Sequence, residues 1–110
     1  MIRFVTDQIL RANIDPDLKD LVPGYLSNRR ADLQSAIDAL RIGDYARLQR
    51  LGHNLRGTAA SYGFNDMTDI GNRLEHAAVE RNDNALQQCI HELGVYLRTV
   101  KVTFRNPGIR

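Results

Sequence analysis

The sequence contains one cysteine, no tryptophan and three prolines in 110 residues. A single thiol, Cys89, cannot form an intramolecular disulfide, so a reducing compartment is the simpler setting for this chain. No apolar run approaches the roughly 18 residues that a membrane-spanning helix needs, and the first residues lack the apolar core of a secretory signal. We therefore expect a cytoplasmic protein with no membrane segment, long enough to bury one apolar core.

The excess of positive over negative charge is small, with a formal net charge of +2. No basic run, aromatic stacking platform or helix-turn-helix pattern accompanies it, which argues against nucleic-acid binding. The three histidines lack the close spacing of a zinc site, and no cysteine or carboxylate cluster completes one. No glycine-rich phosphate loop is present either. The sequence therefore predicts no metal, no cofactor and no ATP site of its own.

The prolines lie near the two ends, at positions 16, 23 and 107, and leave the interior free for helices. Four stretches carry apolar residues at steps of three and four, the spacing of amphipathic helices. This pattern predicts an all-α fold: an antiparallel four-helix bundle over residues 15–104. A short additional helix is expected within the N-terminal segment 1–14, over residues 4–12, and a frayed tail over residues 105–110.

Apolar seams and capping residues place the four helices along the chain. The first should begin at Asp15 and Pro16, kink or restart near Val22 because of Pro23, and end near Arg41. The predicted stops and caps that follow are Gly43, Asp44, Gly63, Asn65 or Asp66, Asn82 and Asp83. The predicted inward residues include Leu21 and Ile37 in the first helix, and Leu86, Ile90, Leu93, Leu97, Val100 and Phe104 in the last.

His53 lies on the second predicted helix, on the side opposite its apolar seam. At about 100° per residue it is roughly 200° from Leu51 and Leu55, so the imidazole should face water and be available as a nucleophile. Gly57, one turn later, costs about 0.5–1 kcal/mol relative to alanine and leaves clearance beside the ring. Arg56 shares this face, and its guanidinium suits phosphate oxygens.

The segment from His53 to Phe64 reads HNLRGTAASYGF and is followed by LEHAA at residues 74–78. It resembles the signature of histidine-containing phosphotransfer (HPt) domains, in which His-x-Leu-Lys-Gly precedes small residues, a second glycine and a further helix with Leu-Glu. The resemblance covers roughly residues 15–104. It departs at Arg56, where lysine is commoner, which retains the charge but changes the geometry of the donor.

The resemblance implies that His53 accepts a phosphoryl group from an aspartyl phosphate on a receiver domain and passes it to another receiver. Arg56 would screen the phosphoryl charge, and Gly57 would admit the loops of the receiver. Glu75, in the next helix, would accept a hydrogen bond from Nδ1–H and so fix the tautomer in which Nε2 presents its lone pair. An equally open interpretation makes Glu75 the solvated rim of its helix.

Partner contacts are expected at Gln49, Arg50 and Ala60, and a basic patch of Arg47, Arg50 and Arg56 should attract an acidic protein surface. The implied partners are receiver domains of response regulators or a hybrid histidine kinase, with Mg²⁺ on the receiver and this chain a monomer. Two alternatives stay open. One is a helical docking module that carries no phosphate, and the other is a phosphotransfer domain of a chemotaxis-type kinase, phosphorylated by an ATP-using kinase domain.

Overall fold

The computed structural model describes residues 10–105, which form four α-helices, one 3-10 helix and a two-stranded sheet. The elements in chain order are β1 (Arg11–Ile14), a 3-10 helix (Pro16–Leu21), α1 (Val22–Ile42), α2 (Tyr45–Tyr62), α3 (Asn65–Val79), α4 (Asp83–Thr99) and β2 (Lys101–Phe104). The predicted four-helix bundle is confirmed. No helix within residues 10–105 is both long enough and apolar enough to cross a membrane.

Two prolines explain why the first helical region has two parts. The carboxylate of Asp15 accepts the Asp17 N–H at 2.9 Å, and Pro16 occupies the first turn of the 3-10 helix. Pro23 occupies the first turn of α1, where its missing N–H has no intrahelical partner to lose. The predicted restart near Val22 is therefore confirmed.

Left-handed glycines and side-chain caps make the connections between helices short. Gly43 ends α1 with φ +74°, and Gly63 ends α2 with φ +94°, a region that glycine enters without steric cost. Asp44 caps α2 by accepting the Arg47 N–H at 3.1 Å. Asn82 caps α4 in the same way. These four predicted boundaries are confirmed.

The predicted cap of α3 at Asn65 or Asp66 is wrong. The N-cap is Phe64, which makes no side-chain capping bond. Its ring is completely buried and belongs to the core cluster. The turn at Gly63 directs Phe64 inward, so that burial of the ring, and not a polar cap, fixes where α3 begins.

Two short strands close one end of the bundle and correct the sequence prediction. They are parallel, with Arg11 paired to Lys101 and Ile14 paired to Phe104. The helix predicted over residues 4–12 is therefore wrong at residues 11 and 12, and residues 1–9 lie outside the described part of the chain. The frayed tail is wrong at Arg105, whose N–H donates to the Ile14 carbonyl at 3.0 Å; residues 106–110 are not described.

The last helix ends at Thr99, earlier than its apolar seam predicts. Val100 is extended, with φ −64° and ψ 133°, and Phe104 belongs to β2. The spacing of four between Val100 and Phe104 fits a helix, whereas the spacing of two between Val102 and Phe104 fits a strand. The strand pattern is the one observed, because pairing with β1 satisfies the backbone of this segment.

In the C-terminal half of α1 the buried face is built from smaller residues than the apolar seam indicated, whereas Val22, Tyr25 and Leu26 are buried as predicted. Ile37 on α1 and Leu21 at the end of the 3-10 helix were predicted to face the core, but their exposed fractions are 39% and 55%. Ala36 and Ala39 are buried instead. The alanines let this part of α1 pack closely against its neighbours, which leaves Ile37 at the margin of the interface.

Candidate functional site

His53 lies on the water-facing side of α2, and its side chain is 61% exposed. Both hydrogen-bonding contacts that the ring makes within residues 10–105 involve Nδ1. One of these contacts is to Glu75 on α3, whose Oε2 lies 3.1 Å from Nδ1. The structure thus brings together two residues that are 22 positions apart in the sequence.

Glu75 is more enclosed than His53, with a side chain that is 20% exposed. Its second oxygen, Oε1, accepts a hydrogen bond from Nε of Arg56 at 3.2 Å. The carboxylate therefore lies between the imidazole and the guanidinium and contacts each with a different oxygen. A carboxylate held in this way can fix the orientation of the imidazole ring.

Arg56 completes a closed ring of contacts. Besides its bond to Glu75, it places Nη2 3.2 Å from Nδ1 of His53. Its side chain is 42% exposed, so part of the guanidinium faces water next to the imidazole. Cation, carboxylate and imidazole form one group on the surface shared by α2 and α3.

Gly57 is exposed, and a Cβ built on it would meet no heavy atom within 4 Å. Packing within the described residues therefore does not require glycine at this position. The absence of a side chain leaves open space on the face that carries His53, which is the clearance that the sequence indicated.

A family model, that of the Hpt domain, matches residues 20–100 of the chain. The chain belongs to the Hpt domain family. Hpt domains are phosphocarrier modules of two-component signalling that interact with receiver domains and kinases, and they contain no ATP site of their own. No curated protein and no solved structure matches the chain significantly. The strands of this Hpt domain lie just outside the matched residues.

A close crossing of α2 and α3 positions the site, and the sequence analysis missed it. A Cβ on Gly52 would lie 2.5 Å from the Glu75 backbone nitrogen and 2.9 Å from the Gly71 carbonyl oxygen. A Cβ on Gly71 would lie 2.6 Å from the backbone nitrogen of Arg56. Glycine at both positions lets the two backbones touch, which places Glu75 within reach of His53. The available signal was a pair of glycines inside two successive predicted helices.

Substituting Gly52 with alanine is expected to destabilise the Hpt domain by about 1–3 kcal/mol, the usual cost of overpacking. The new methyl group would collide with the backbone of α3, which cannot move aside as a flexible side chain could. Urea unfolding measures the change. Gly57→Ala is the matched control on the same helix, and we expect it to stabilise by about 0.5–1 kcal/mol. Equal effects of the two substitutions would contradict the close crossing.

The three predicted docking positions are all exposed. Gln49, Arg50 and Ala60 lie on α2 within roughly 60° of His53 around the helix axis, at about 100° per residue. Arg47 does not share this face, because its Nη2 donates to Ser35 Oγ on α1 at 2.6 Å. The predicted basic patch is therefore wrong at Arg47, and its other two members are Arg50 and Arg56.

The remaining histidines have different surroundings. His76 is exposed, and its Nδ1 lies 3.0 Å from the Asn72 carbonyl oxygen one turn earlier on α3. His91 is exposed on α4 and lines an open groove between α1 and α4. Among residues 10–105, no group of three or more histidine, cysteine or acidic side chains is placed to hold a metal ion.

Proposed function

We propose that His53 is the phosphoacceptor of this Hpt domain, and that it takes a phosphoryl group from an aspartyl phosphate on one receiver domain and delivers it to another. The observation that carries this proposal is the placement of an exposed imidazole with Nδ1 against the carboxylate of Glu75. This contact suits a ring that reacts through Nε2.

In the accepting step, the Nε2 lone pair attacks phosphorus in line with the bond to the aspartate oxygen. The N–P bond forms as the P–O bond breaks, and the electron pair of that bond returns to the aspartate carboxylate. The ring gains positive charge, which Nδ1–H relieves by donating to Oε2 of Glu75. Delivery to the second receiver is the same step in reverse. Such transfer depends mainly on positioning and charge neutralisation, which a small helical domain can supply.

Other residues of this face would serve the encounter with the receiver. Arg56 screens the phosphoryl charge, and the space at Gly57 admits the loops of the partner. Gln49, Arg50 and Ala60 contact the receiver around the reacting atoms. The Mg²⁺ ion that neutralises the aspartyl phosphate belongs to the receiver, so this chain needs no cofactor of its own. That the chain is a monomer and is located in the cytoplasm stays a prediction.

Incubation with a receiver domain that carries radioactive phosphate on its aspartate tests the proposal. We expect label to appear on this chain, to be lost in acid and to survive alkali, as a phosphoimidazole does. An acid-stable label, or none, would favour a docking module that carries no phosphate. Label that requires ATP and a histidine kinase domain, and never comes from a receiver, would favour the domain of a chemotaxis-type kinase.

A further inference from the structure

Nδ1 of His53 has two neighbours with opposite hydrogen-bonding requirements. Oε2 of Glu75, at 3.1 Å, can only accept a hydrogen bond when it is ionised. Nη2 of Arg56, at 3.2 Å, can only donate one. A neutral imidazole has one N–H and one lone pair, so Nδ1 can satisfy either neighbour but never both together.

The two choices correspond to two tautomers with different reactivity. With hydrogen on Nδ1, the ring donates to Glu75 and Nε2 keeps its lone pair for attack. With hydrogen on Nε2, Nδ1 accepts from Arg56 and Nε2 has no lone pair to offer. We propose that Arg56 is a positioning residue that competes with Glu75 for Nδ1, and thereby lowers the fraction of His53 in the reactive tautomer.

The bond between the competitors maintains this arrangement. Arg56 Nε donates to Oε1 of Glu75 at 3.2 Å, which holds the guanidinium where its Nη2 also reaches Nδ1. Two separate nitrogens of one planar group make these two contacts. A lysine has one nitrogen on a flexible stem and cannot hold both positions separately. Arginine at residue 56 therefore fixes both contacts within one rigid group.

The consequence for phosphate transfer rests on the proposed function, whereas the tautomer ratio can be measured on the free protein. Nitrogen-15 chemical shifts of labelled histidine distinguish the two tautomers, and the His53 signals are those missing from the spectrum of His53→Gln. Spectra are recorded at an alkaline pH above the range in which the histidine shifts change with pH, so that the rings are neutral.

Arg56→Met should raise the ratio of the Nδ1–H to the Nε2–H tautomer by about three- to tenfold, as expected when one net hydrogen bond is lost. Glu75→Leu should lower the ratio by a similar factor. Arg50→Met is the matched control, because it removes the same charge from the same face, and no hydrogen bond within residues 10–105 joins Arg50 to His53. We expect it to leave the ratio unchanged.

An unchanged or lowered ratio in Arg56→Met would overturn the proposal. An equal rise in Arg50→Met would do the same, because charge and not contact would then be the cause. The shifts predicted for all three variants would uphold it even if no receiver ever phosphorylated the chain. In that case the proposed function alone would fail, so the two ideas are tested separately.

Discussion

Replacing His53 with glutamine is expected to abolish phosphoryl transfer to this Hpt domain while leaving its fold intact. An amide nitrogen has no lone pair available to attack phosphorus, so no N–P bond can form. The imidazole is 61% exposed and is not part of the core, and exposed substitutions usually change stability by less than about 0.5 kcal/mol. Radioactive label after incubation with a phosphorylated receiver measures the loss, and circular dichroism checks helicity.

The other two histidines provide matched controls for this experiment. His76→Gln and His91→Gln change exposed side chains on α3 and α4, and we expect both variants to be labelled like the parent chain. Full labelling of His53→Gln would refute the assignment of the phosphoacceptor. Loss of label only in His76→Gln would move the assignment to α3.

Replacing Gly57 with leucine is expected to slow transfer by roughly 100-fold, the effect of displacing reacting groups by about 1 Å. The new side chain would occupy the open space on the His53 face and hold a docking receiver away from the imidazole. Within the described residues it would meet no obstacle at its Cβ, and it removes a helix-destabilising glycine. We therefore expect helicity and stability to be retained. Stopped-flow or quench-flow labelling measures the rate.

Gly24→Leu is the matched control for this steric effect. Gly24 is exposed on α1, and a Cβ there also meets nothing within 4 Å. Because it does not lie on α2, its substitution should leave the transfer rate within about twofold of the parent. A Gly57→Leu variant that transfers at the parent rate would show that the clearance has no role in docking.

Much of the bundle could be predicted because the residues that determine each helix lie close together in the sequence. The apolar spacing of α3 and α4 can be recognised within a few turns of the chain. The same holds for the residues that end or cap the helices, which are Gly43, Asp44, Gly63 and Asn82. The predictions that failed concern residues whose contact partners are distant in the sequence. Phe104 pairs with Ile14, and no periodicity within residues 100–104 could reveal that contact.

The candidate site could be predicted in part for the same reason. His53, Arg56 and Gly57 share one helix, so their common face follows from spacing alone. Glu75 entered through the family resemblance, and its contact with His53 depends on how two helices cross.

That crossing was not predicted, because a glycine inside a helix has several possible meanings. Gly57 leaves open space, whereas Gly52 and Gly71 let two backbones touch. All three are glycines inside predicted amphipathic helices, and only the tertiary structure shows which of them meet another backbone.

The parallel strand pair has a consequence for the order in which the protein folds. Arg11 and Lys101 pair across nearly the whole chain, whereas His53, Arg56 and Glu75 meet within two successive helices. Joining distant segments is entropically costly and slow, so the helical hairpin of α2 and α3 should form first and the strands last. Amide hydrogen exchange would then be fastest in the strands, and the group of His53, Arg56 and Glu75 would stay assembled while the chain ends separate.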